Sequence, residues 1–273
     1  LKTATIIIKD EVNIKIQNLD VDIRRKLSNM FSYEIPGARF TPAVKLGRWN
    51  GKVSFFQLSG STYINLLDEI IPVLVKEGYK IEVDDKREYN TSFDFEKVNT
   101  NTLADISWPK GHQLEGQPII MHDHQVNAIN TYLENPQSLQ EISTASGKTI
   151  ITSVLSKLIE PYGRSIVIVP NRSLVTQTKE DYENIGLDVG VFYGKDKDYT
   201  KTHTICTWQS LGSLYKKTKK GEAPIEIGDF LDDVVCVIVD ECHSIKGTVL
   251  KDLLAGTMSH IPIRWGLTGT IPK

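Results

Sequence analysis

The chain has 273 residues, 40% of them hydrophobic and 24% charged, with Lys+Arg 32 set against Asp+Glu 34. This length corresponds to about two domains, each able to bury a core, and the near-neutral balance excludes a chain that is basic throughout, so any nucleic-acid surface must be a local patch. The longest apolar run, Val234 to Val239, is far too short to cross a bilayer, and no basic-then-apolar segment opens the chain; we expect a soluble protein of the cytoplasm.

The first 105 residues alternate strand-like and helical patterns. "TATIIIKDEVNIKIQNL" holds two β-branched runs separated by Lys9, Asp10 and Glu11, the pattern of a hairpin. Asp20 or Asp22 can cap a helix through "IRRKLSNMF", with Ile23, Leu27 and Met30 or Phe31 on one face. "KVSFF" is a further strand. In "YINLLDEIIPVLVKE", Tyr63 to Glu77, the residues Ile64, Leu67, Ile71 and Leu74 are spaced as on a helix. Pro72 predicts a kink, and Gly78 ends the helix before the strand "YKIEV". These elements make a small α+β domain over residues 1–105.

"SWPKGHQLEGQP", Ser107 to Pro118, concentrates Pro and Gly without apolar periodicity, which predicts a linker over residues 106–118. From Ile119 onward, "SIVIV", "HTICTW", "DVVCVIVD" and "IRWGLTGT" are near-continuous apolar runs separated by helical segments such as "KTIITSVLSKLI" and "RSLVTQTKEDYENI". Strands buried on both faces with helices between them predict an α/β domain with a doubly wound parallel sheet over residues 119–273. Cys206, Cys236 and Cys242 are odd in number, the last two in or beside a core-strand pattern, and read as reduced, buried thiols of an intracellular protein. His112, His203 and His260 have no partners at metal spacing, so no structural zinc is expected. The chain opens on Leu1 and stops at Lys273 directly after a strand pattern, and we read it as a piece of a longer protein.

"QEISTASGKTII", Gln140 to Ile151, ends in the Gly-Lys-Thr of a phosphate-binding loop, but Ile142 stands where the first glycine of G-x-x-x-x-G-K-[ST] belongs. Phosphate needs a helix start, where unpaired backbone N–H groups and the positive dipole end converge. Gly147 permits close backbone approach, Lys148 can reach the β and γ phosphates, and Thr149 can hold Mg²⁺. Ser143, Thr144, Ala145 and Ser146 complete the loop, with Ile142 at the strand end before its tight part. An ordinary loop before a helix would read similarly. About ninety residues on, "VVCVIVDECH" is an apolar strand ending in paired acids, where an open parallel sheet presents its reactive groups. Asp240 can bind Mg²⁺ and Glu241 can orient or deprotonate an attacking water, although acids after strands also serve simply to cap loops.

As a set, "STASGKT", "IVIVPNRSLVTQ", "TWQSL", "DECH" and "GLTGT" resemble motifs I, Ia, Ic, II and III of superfamily 2 helicases, in the family's order and spacing. "DECH" and "LTGT" in place of the DEAD-box letters make the resemblance one to DExH members. "GRWNGKVSFF" and the helix after it are similar to the phage UvsW-type recombination helicases, which remodel branched DNA. The resemblance implies a RecA-like parallel sheet flanked by helices as the first motor domain, preceded by a small nucleic-acid-binding domain. It implies ATP and Mg²⁺ at Lys148, Thr149, Asp240 and Glu241, and nucleic-acid contacts at Pro170, Arg172, Gln177, Thr207, Trp208 and Gln209. It also implies that His243 joins the catalytic set, and that with Thr268, Gly269 and Thr270 it couples hydrolysis to movement. "HDHQVNAI" is similar to the adenine-contacting segment upstream of motif I, with Gln125 as its glutamine, His124 for the aromatic and His122 for the arginine. Gln125 either reads adenine or caps the first helix. The resemblance further implies a second RecA-like domain that supplies the arginine fingers. Lack of a finger costs roughly 10³ to 10⁵ in turnover, so residues 1–273 alone are expected to hydrolyse ATP very poorly.

"GARFTPAVKLGRWNGK", Gly37 to Lys52, contains Arg39, Lys45, Arg48 and Lys52 with no acid, interleaved with Phe40 and Trp49. Such a run can neutralise phosphates while its aromatics stack; alternatively Phe40 and Trp49 anchor the small core. "YKKTKKGE" reads as a solvated loop, with a phosphate contact as the alternative because it follows the Thr207 to Leu211 motif. The leading expectation is an ATP-dependent DNA helicase or translocase of recombination or repair, acting in the host cytoplasm if phage-encoded. An RNA helicase or restriction-type translocase subunit of the same superfamily, and a non-catalytic nucleic-acid-binding module, are the rivals.

Overall fold

In a computed structural model of the chain, residues 2–88, 92–143, 145–244 and 248–270 are described, and they fall into two units, Leu1–Thr91 and Ser92–Lys273. The first unit begins with β1 (Lys2–Ile8) and β2 (Asn13–Gln17), the predicted hairpin, paired Ile6 to Ile16. Asp10 closes its turn by accepting from the backbone N–H groups of Val12 and Asn13. Then come α1 (Val21–Met30), β3 (Ser32–Glu34), the single turn α2 (Pro42–Lys45), β4 (Lys52–Ser54), β5 (Ser61–Tyr63), α3 (Leu67–Lys76) and β6 (Tyr79–Asp85). The sheet runs β5-β2-β1-β6, with β6 parallel to β1, and β3 and β4 form a separate antiparallel ribbon. Alternate residues Ala4, Ile6 and Ile8 turn one face inward, where they pack with Leu27 and Phe31 at the end of α1 and with Ile70 and Leu74 of α3. Asp20 occupies the N-cap position of α1 without making a cap bond, because its carboxylate is taken by Lys2. Met30 is exposed and Phe31 takes the core position.

The second unit is built on α4 (Asp123–Glu134), β7 (Gln137–Glu141), α5 (Lys148–Ile159), β8 (Arg164–Val169), α6 (Arg172–Asn184), β9 (Val189–Tyr193) and β10 (Asp196–Lys197). It continues through β11 (His203–Thr207), α7 (Trp208–Lys220), α8 (Ile227–Phe230), β12 (Val234–Val239), α9 (Thr248–Ala255) and β13 (Ile263–Thr268). The sheet order is β10-β9-β11-β8-β12-β13-β7, parallel throughout except for the short edge strand β10. Helices α7, α8 and α9 cover one face around Ile166, Ile168, Cys206, Val237 and Val239. The predicted doubly wound α/β architecture is therefore present. No helix among the described residues is long and apolar enough to cross a membrane.

The division between the units falls at Thr91/Ser92, ahead of the expected linker. Residues 92–121 carry little regular structure, yet Val98, Leu103, Ile119 and Met121 are buried in the second unit. Asn130 of α4 clamps this lead-in by exchanging hydrogen bonds with the Val98 backbone at 2.9 and 3.0 Å. The stretch 106–118 is a loop closed at its base by a Ser107–Pro118 bridge, with Trp108 stacked on His112. Pro and Gly there mark turns within the unit rather than a link between units.

Arg164 at the start of β8 knits the amino-terminal edge of the sheet. Its guanidinium donates to the carbonyls of Tyr199 at 2.6 Å, Asp232 at 2.9 Å, and Lys201 and Phe230 at 3.2 Å. Replacement by alanine leaves several half-buried acceptors unpaired, each costing about 1–3 kcal/mol. We expect Arg164→Ala to destabilise the chain by roughly 2–4 kcal/mol in urea unfolding; a change within about 0.5 kcal/mol would show that water replaces the guanidinium without loss.

Candidate functional site

The parallel register places the carboxyl ends of β7, β8, β11, β12 and β13 along one edge of the sheet. That edge gathers the motif residues, because each motif directly follows or closes its strand. Ile142 extends β7: its N–H donates to Thr268 O at 2.8 Å and its side chain is buried. The residue that departs from the glycine pattern is thus held in the sheet before the loop turns.

Past Ser143 the loop tightens. Ser146 Oγ donates to Ser143 O at 2.7 Å, and Ala145 and Gly147 both have positive φ, 69° and 78°. These two left-handed residues bend the loop tightly into the start of α5. Gly147 is the N-cap of α5 and offers no side chain to the N–H groups of the first turn. By contrast α6 is capped by Asn171 and α7 by Thr207. A Cβ on Gly147 would displace the amide end of Gln125, and the positive φ is what demands glycine there. Thr144 lies outside the described residues.

Gln125, buried in the first turn of α4, does two things. Its Oε1 accepts from His122 N at 2.9 Å, capping the helix, and its Nε2 donates to Ser146 O at 3.2 Å. His124 Nε2 also meets Ser146 O, at 2.9 Å. The capping alternative for Gln125 is therefore realised, together with a tie to the loop that the sequence pattern did not suggest. A cavity of about 570 Å³ opens beside the loop, lined among others by His124, Asn127, Thr131, Gln140 and Ser143, a size that suits a small molecule.

Lys148, nearly buried, forms an ion pair with Glu241 Oε1. Glu241 Oε2 accepts from Gly269 N at 3.4 Å and lies 3.2 Å from His243 Nδ1. Thr268 Oγ1 donates to Thr270 O at 2.8 Å, accepts from Thr270 N at 3.3 Å and lies 2.7 Å from His243 Nδ1. Because that hydroxyl proton is committed to Thr270, Nδ1 of His243 must be the protonated nitrogen, donating to Thr268 and toward Glu241. Glu241 is itself left-handed, φ 48°, a conformation that costs a non-glycine residue about 1–2 kcal/mol. Strain of this kind persists where surrounding contacts hold it, commonly at functional sites; here the Lys148, Gly269 and His243 contacts hold it.

The two carboxylates are driven apart. Burial pushes Asp240 up, and the Glu241 charge adds to it, against the pull of Lys148. For Glu241 burial also pushes upward, but the Lys148 hydrogen bond, the Gly269 N–H and the Lys148 and His243 charges together hold it below its ordinary value. Asp240 Oδ1 accepts from Glu241 N at 2.9 Å, locking the pair in place. Thr149 stands beside Asp181 of α6, whose carboxyl is raised by burial and by Glu180 and lowered by the Thr149 hydroxyl. Lys148, Asp240, Glu241, His243, Thr268 and Gly269 thus lie together.

Farther along the same edge, Pro170, Arg172, Thr207 and Gln209 line an open groove of about 440 Å³ with Asn171 and Lys197. Trp208, half-buried, lines an adjoining hollow with Gln209, Lys216, Lys217 and Lys220. Gln177 is exposed on α6 outside these linings. Lys197 escaped the sequence reading because it belongs to a two-residue edge strand; folding sets its ammonium 4.0 Å from the Phe192 ring centroid. Lys216 to Lys220, read as a loop, form the last turns of α7, where cations favour the negative dipole end. Cys206, Cys236 and Cys242 are free thiols, the first two buried and the third partly so.

In the first unit, Arg39, Lys45 and Arg48 are exposed on the connection between β3 and β4, and Lys52 is exposed at the start of β4. Phe40 is 65% exposed with the Arg39 guanidinium 4.8 Å from its ring centroid, so it does not anchor the core. Trp49 is half-buried and its indole donates to Lys52 O at 2.9 Å, bracing the connection.

Residues 118–273 match the family model described as Type III restriction enzyme, res subunit. Residues 5–84 match that described as DNA helicase UvsW, N-terminal. The chain is 24% identical over 260 residues to the ATP-dependent DNA helicase uvsW of Enterobacteria phage T4, covering 90% of this chain and 48% of that protein. It is 25% identical over 190 residues to the DNA 3'-5' translocase XPB2 of Sulfurisphaera tokodaii, covering 68% and 38%. The chain spans about half the length, or less, of these curated relatives. In fold it is similar to a crystal structure of the UvsW helicase from Bacteriophage T4, with TM-score 0.74 and 20% identity over 98% of this chain and 92% of that one.

Proposed function

The chain belongs to the family described as Type III restriction enzyme, res subunit, and from that we propose that it is the nucleotide-binding portion of an ATP-dependent DNA helicase or translocase. One observation carries the reading: an uncapped helix start, the Lys148 ammonium and the carboxylates of Asp240 and Glu241 converge at one edge of the parallel sheet. The backbone of residues 145–149 and Lys148 would hold the phosphates of ATP, and Thr149 and Asp240 would hold Mg²⁺. ATP supplies the phosphoanhydride bond and magnesium offsets its charge. Lys148 would leave Glu241 for the phosphates, freeing that carboxylate to orient and deprotonate water. His243, set between Glu241 and Thr268, would pass the state of the site to Thr268, Gly269 and Thr270. Gln125 buttresses the loop from α4, and the cavity beside His124 would take the base.

The groove lined by Pro170, Arg172, Lys197, Thr207 and Gln209 would follow a nucleic-acid backbone, extended by the lysines of α7. Trp208 supports the second hollow, and Gln177 would meet only a strand that reaches further along α6. The relative of phage T4 is named an ATP-dependent DNA helicase, which favours DNA; the resemblance to recombination helicases extends the proposal to a role in recombination. We assign the arginine fingers to a second RecA-like domain, and the small first unit to DNA binding through Arg39, Lys45, Arg48 and Lys52. ATP hydrolysis by the protein carried through that second domain, compared with branched DNA, duplex DNA and RNA, tests the reading. We expect the strongest stimulation by branched DNA; rates indifferent to all three would sink it.

The groove makes a separate, quantitative prediction. Each phosphate contact contributes a salt slope of about 0.9 on duplex DNA and about 0.7 on single strands. Arg172→Ala and Lys197→Ala are each expected to flatten the slope of log K against log salt by about one contact, in anisotropy titrations at several salt concentrations. An unchanged slope in both variants would remove the groove from the backbone path.

A further inference from the structure

Resting on the assignment of the first unit to DNA, we propose that its outer face is a stacking platform for unpaired bases, formed by Tyr33, Phe55 and Tyr63. Neighbouring residues turn opposite ways: Thr62 is buried while Tyr63 beside it on β5 is partly open, and just past β4 Phe56 is buried while Phe55 turns out. Tyr33, on β3, reaches the same face, paired in register with Val53, two residues before Phe55. The rings form a row: Tyr33 and Phe55 stack at 5.5 Å with planes 22° apart, and Phe55 meets Tyr63 edge-on at 6.2 Å. Tyr33 is 47% and Phe55 37% exposed, so part of each ring in this ordered row remains open to solvent.

Charge selects the occupant. The chain joining β3 to β4, which bring Tyr33 and Phe55 together, contains the run from Gly37 to Lys52 at the start of β4, with Arg39, Lys45, Arg48 and Lys52 and no acid within it. A ribbon with aromatic rings on its face and Arg39, Lys45 and Arg48 closing its end, with Lys52 set across from Glu34, suits a polyanion that offers flat rings, which is a nucleic acid with its bases unpaired. A duplex keeps its bases stacked inside and could use only the cations. The platform would therefore let the first unit discriminate single-stranded or frayed DNA from duplex.

The test uses the 273-residue chain and three fluorescent ligands of equal length: oligothymidylate, a strand with abasic central positions, and a duplex. Phe55→Ala and Tyr33→Ala are expected to weaken oligothymidylate binding about 5- to 150-fold, the loss that follows from about 1–3 kcal/mol per stacked base, and to leave abasic and duplex binding unchanged. Phe55→Leu, which keeps an apolar side chain against Tyr33 and Tyr63, should reproduce the selective loss with an unaltered melting temperature. Equal losses on all three ligands, or none on any, would overturn the platform. So would a concentration-dependent self-association abolished by Phe55→Leu with DNA binding intact, since the face would then belong to a second copy. Failure of the wild-type chain to bind any of the three would instead overturn the underlying DNA assignment.

Discussion

Lys148→Ala is expected to lower DNA-stimulated ATP turnover about 10²- to 10³-fold, the usual cost of removing a positioned charge that stabilises developing negative charge. The setting argues for the upper end. The ammonium is nearly buried, so its interaction with phosphate is weakly screened, and among the described residues its ion pair is with Glu241. Losing it also strips Glu241 of the hydrogen bond and charge that hold its carboxyl down. Nucleotide binding by the chain itself should weaken about 10-fold or more, since a charge-assisted hydrogen bond contributes about 1.5–3 kcal/mol. Binding of DNA should persist, because Lys148 lies away from the groove of Pro170, Arg172 and Lys197. Turnover indistinguishable from wild type would overturn the phosphate assignment of the loop.

Glu241→Gln separates chemistry from binding. The amide keeps the shape of the side chain but cannot accept a proton, and loss of a general base costs about 10²- to 10⁴-fold. Affinity for ATP should hold or rise a few-fold, because Lys148 is released from its ion pair before the phosphates arrive. A parallel loss of affinity and turnover would show that Glu241 only shapes the pocket. The same variant has a pH signature in the ligand-free chain. The Glu241 carboxyl is held below its ordinary 4.5, so the unfolded state binds its proton more tightly than the folded state. The stabilisation is complete above the unfolded value and lost as pH falls through the lower folded one. Wild type should therefore melt above Glu241→Gln at about pH 7, with the difference closing toward about pH 3. A constant difference across that range would mean the ion pair does not set the titration.

The readable parts of the chain were those whose physics is local. Two β-branched runs around Lys9 to Glu11 can do little but form a hairpin, and apolar runs such as "VVCVIV" between helical segments demand a buried parallel sheet. Once that sheet is inferred, the Gly-Lys-Thr at 147–149 and the acids at 240 and 241 must lie at its carboxyl edge. Sequence could not supply the pairings made across the chain. Gln125 caps its own helix and also holds Ser146, twenty-one residues away; both bonds depend on how α4 packs beside α5. The expected linker at 106–118 failed for a related reason: Pro and Gly report a turn, whereas Val98, Leu103 and Ile119 show only by their burial which core owns the segment.

Chain order alone determined that this protein has a parallel α/β unit with a phosphate-type loop and a strand-end acid pair, because hydrophobic period and glycine placement are properties of neighbours in sequence. Tertiary structure alone decided that Lys148 pairs with Glu241, that His243 leans on Thr268, that Lys197 joins Arg172 in one groove, and that Tyr33 stacks on Phe55. Those contacts join residues far apart in the chain, and their charges and ring faces acquire meaning only when packing fixes the distance between them.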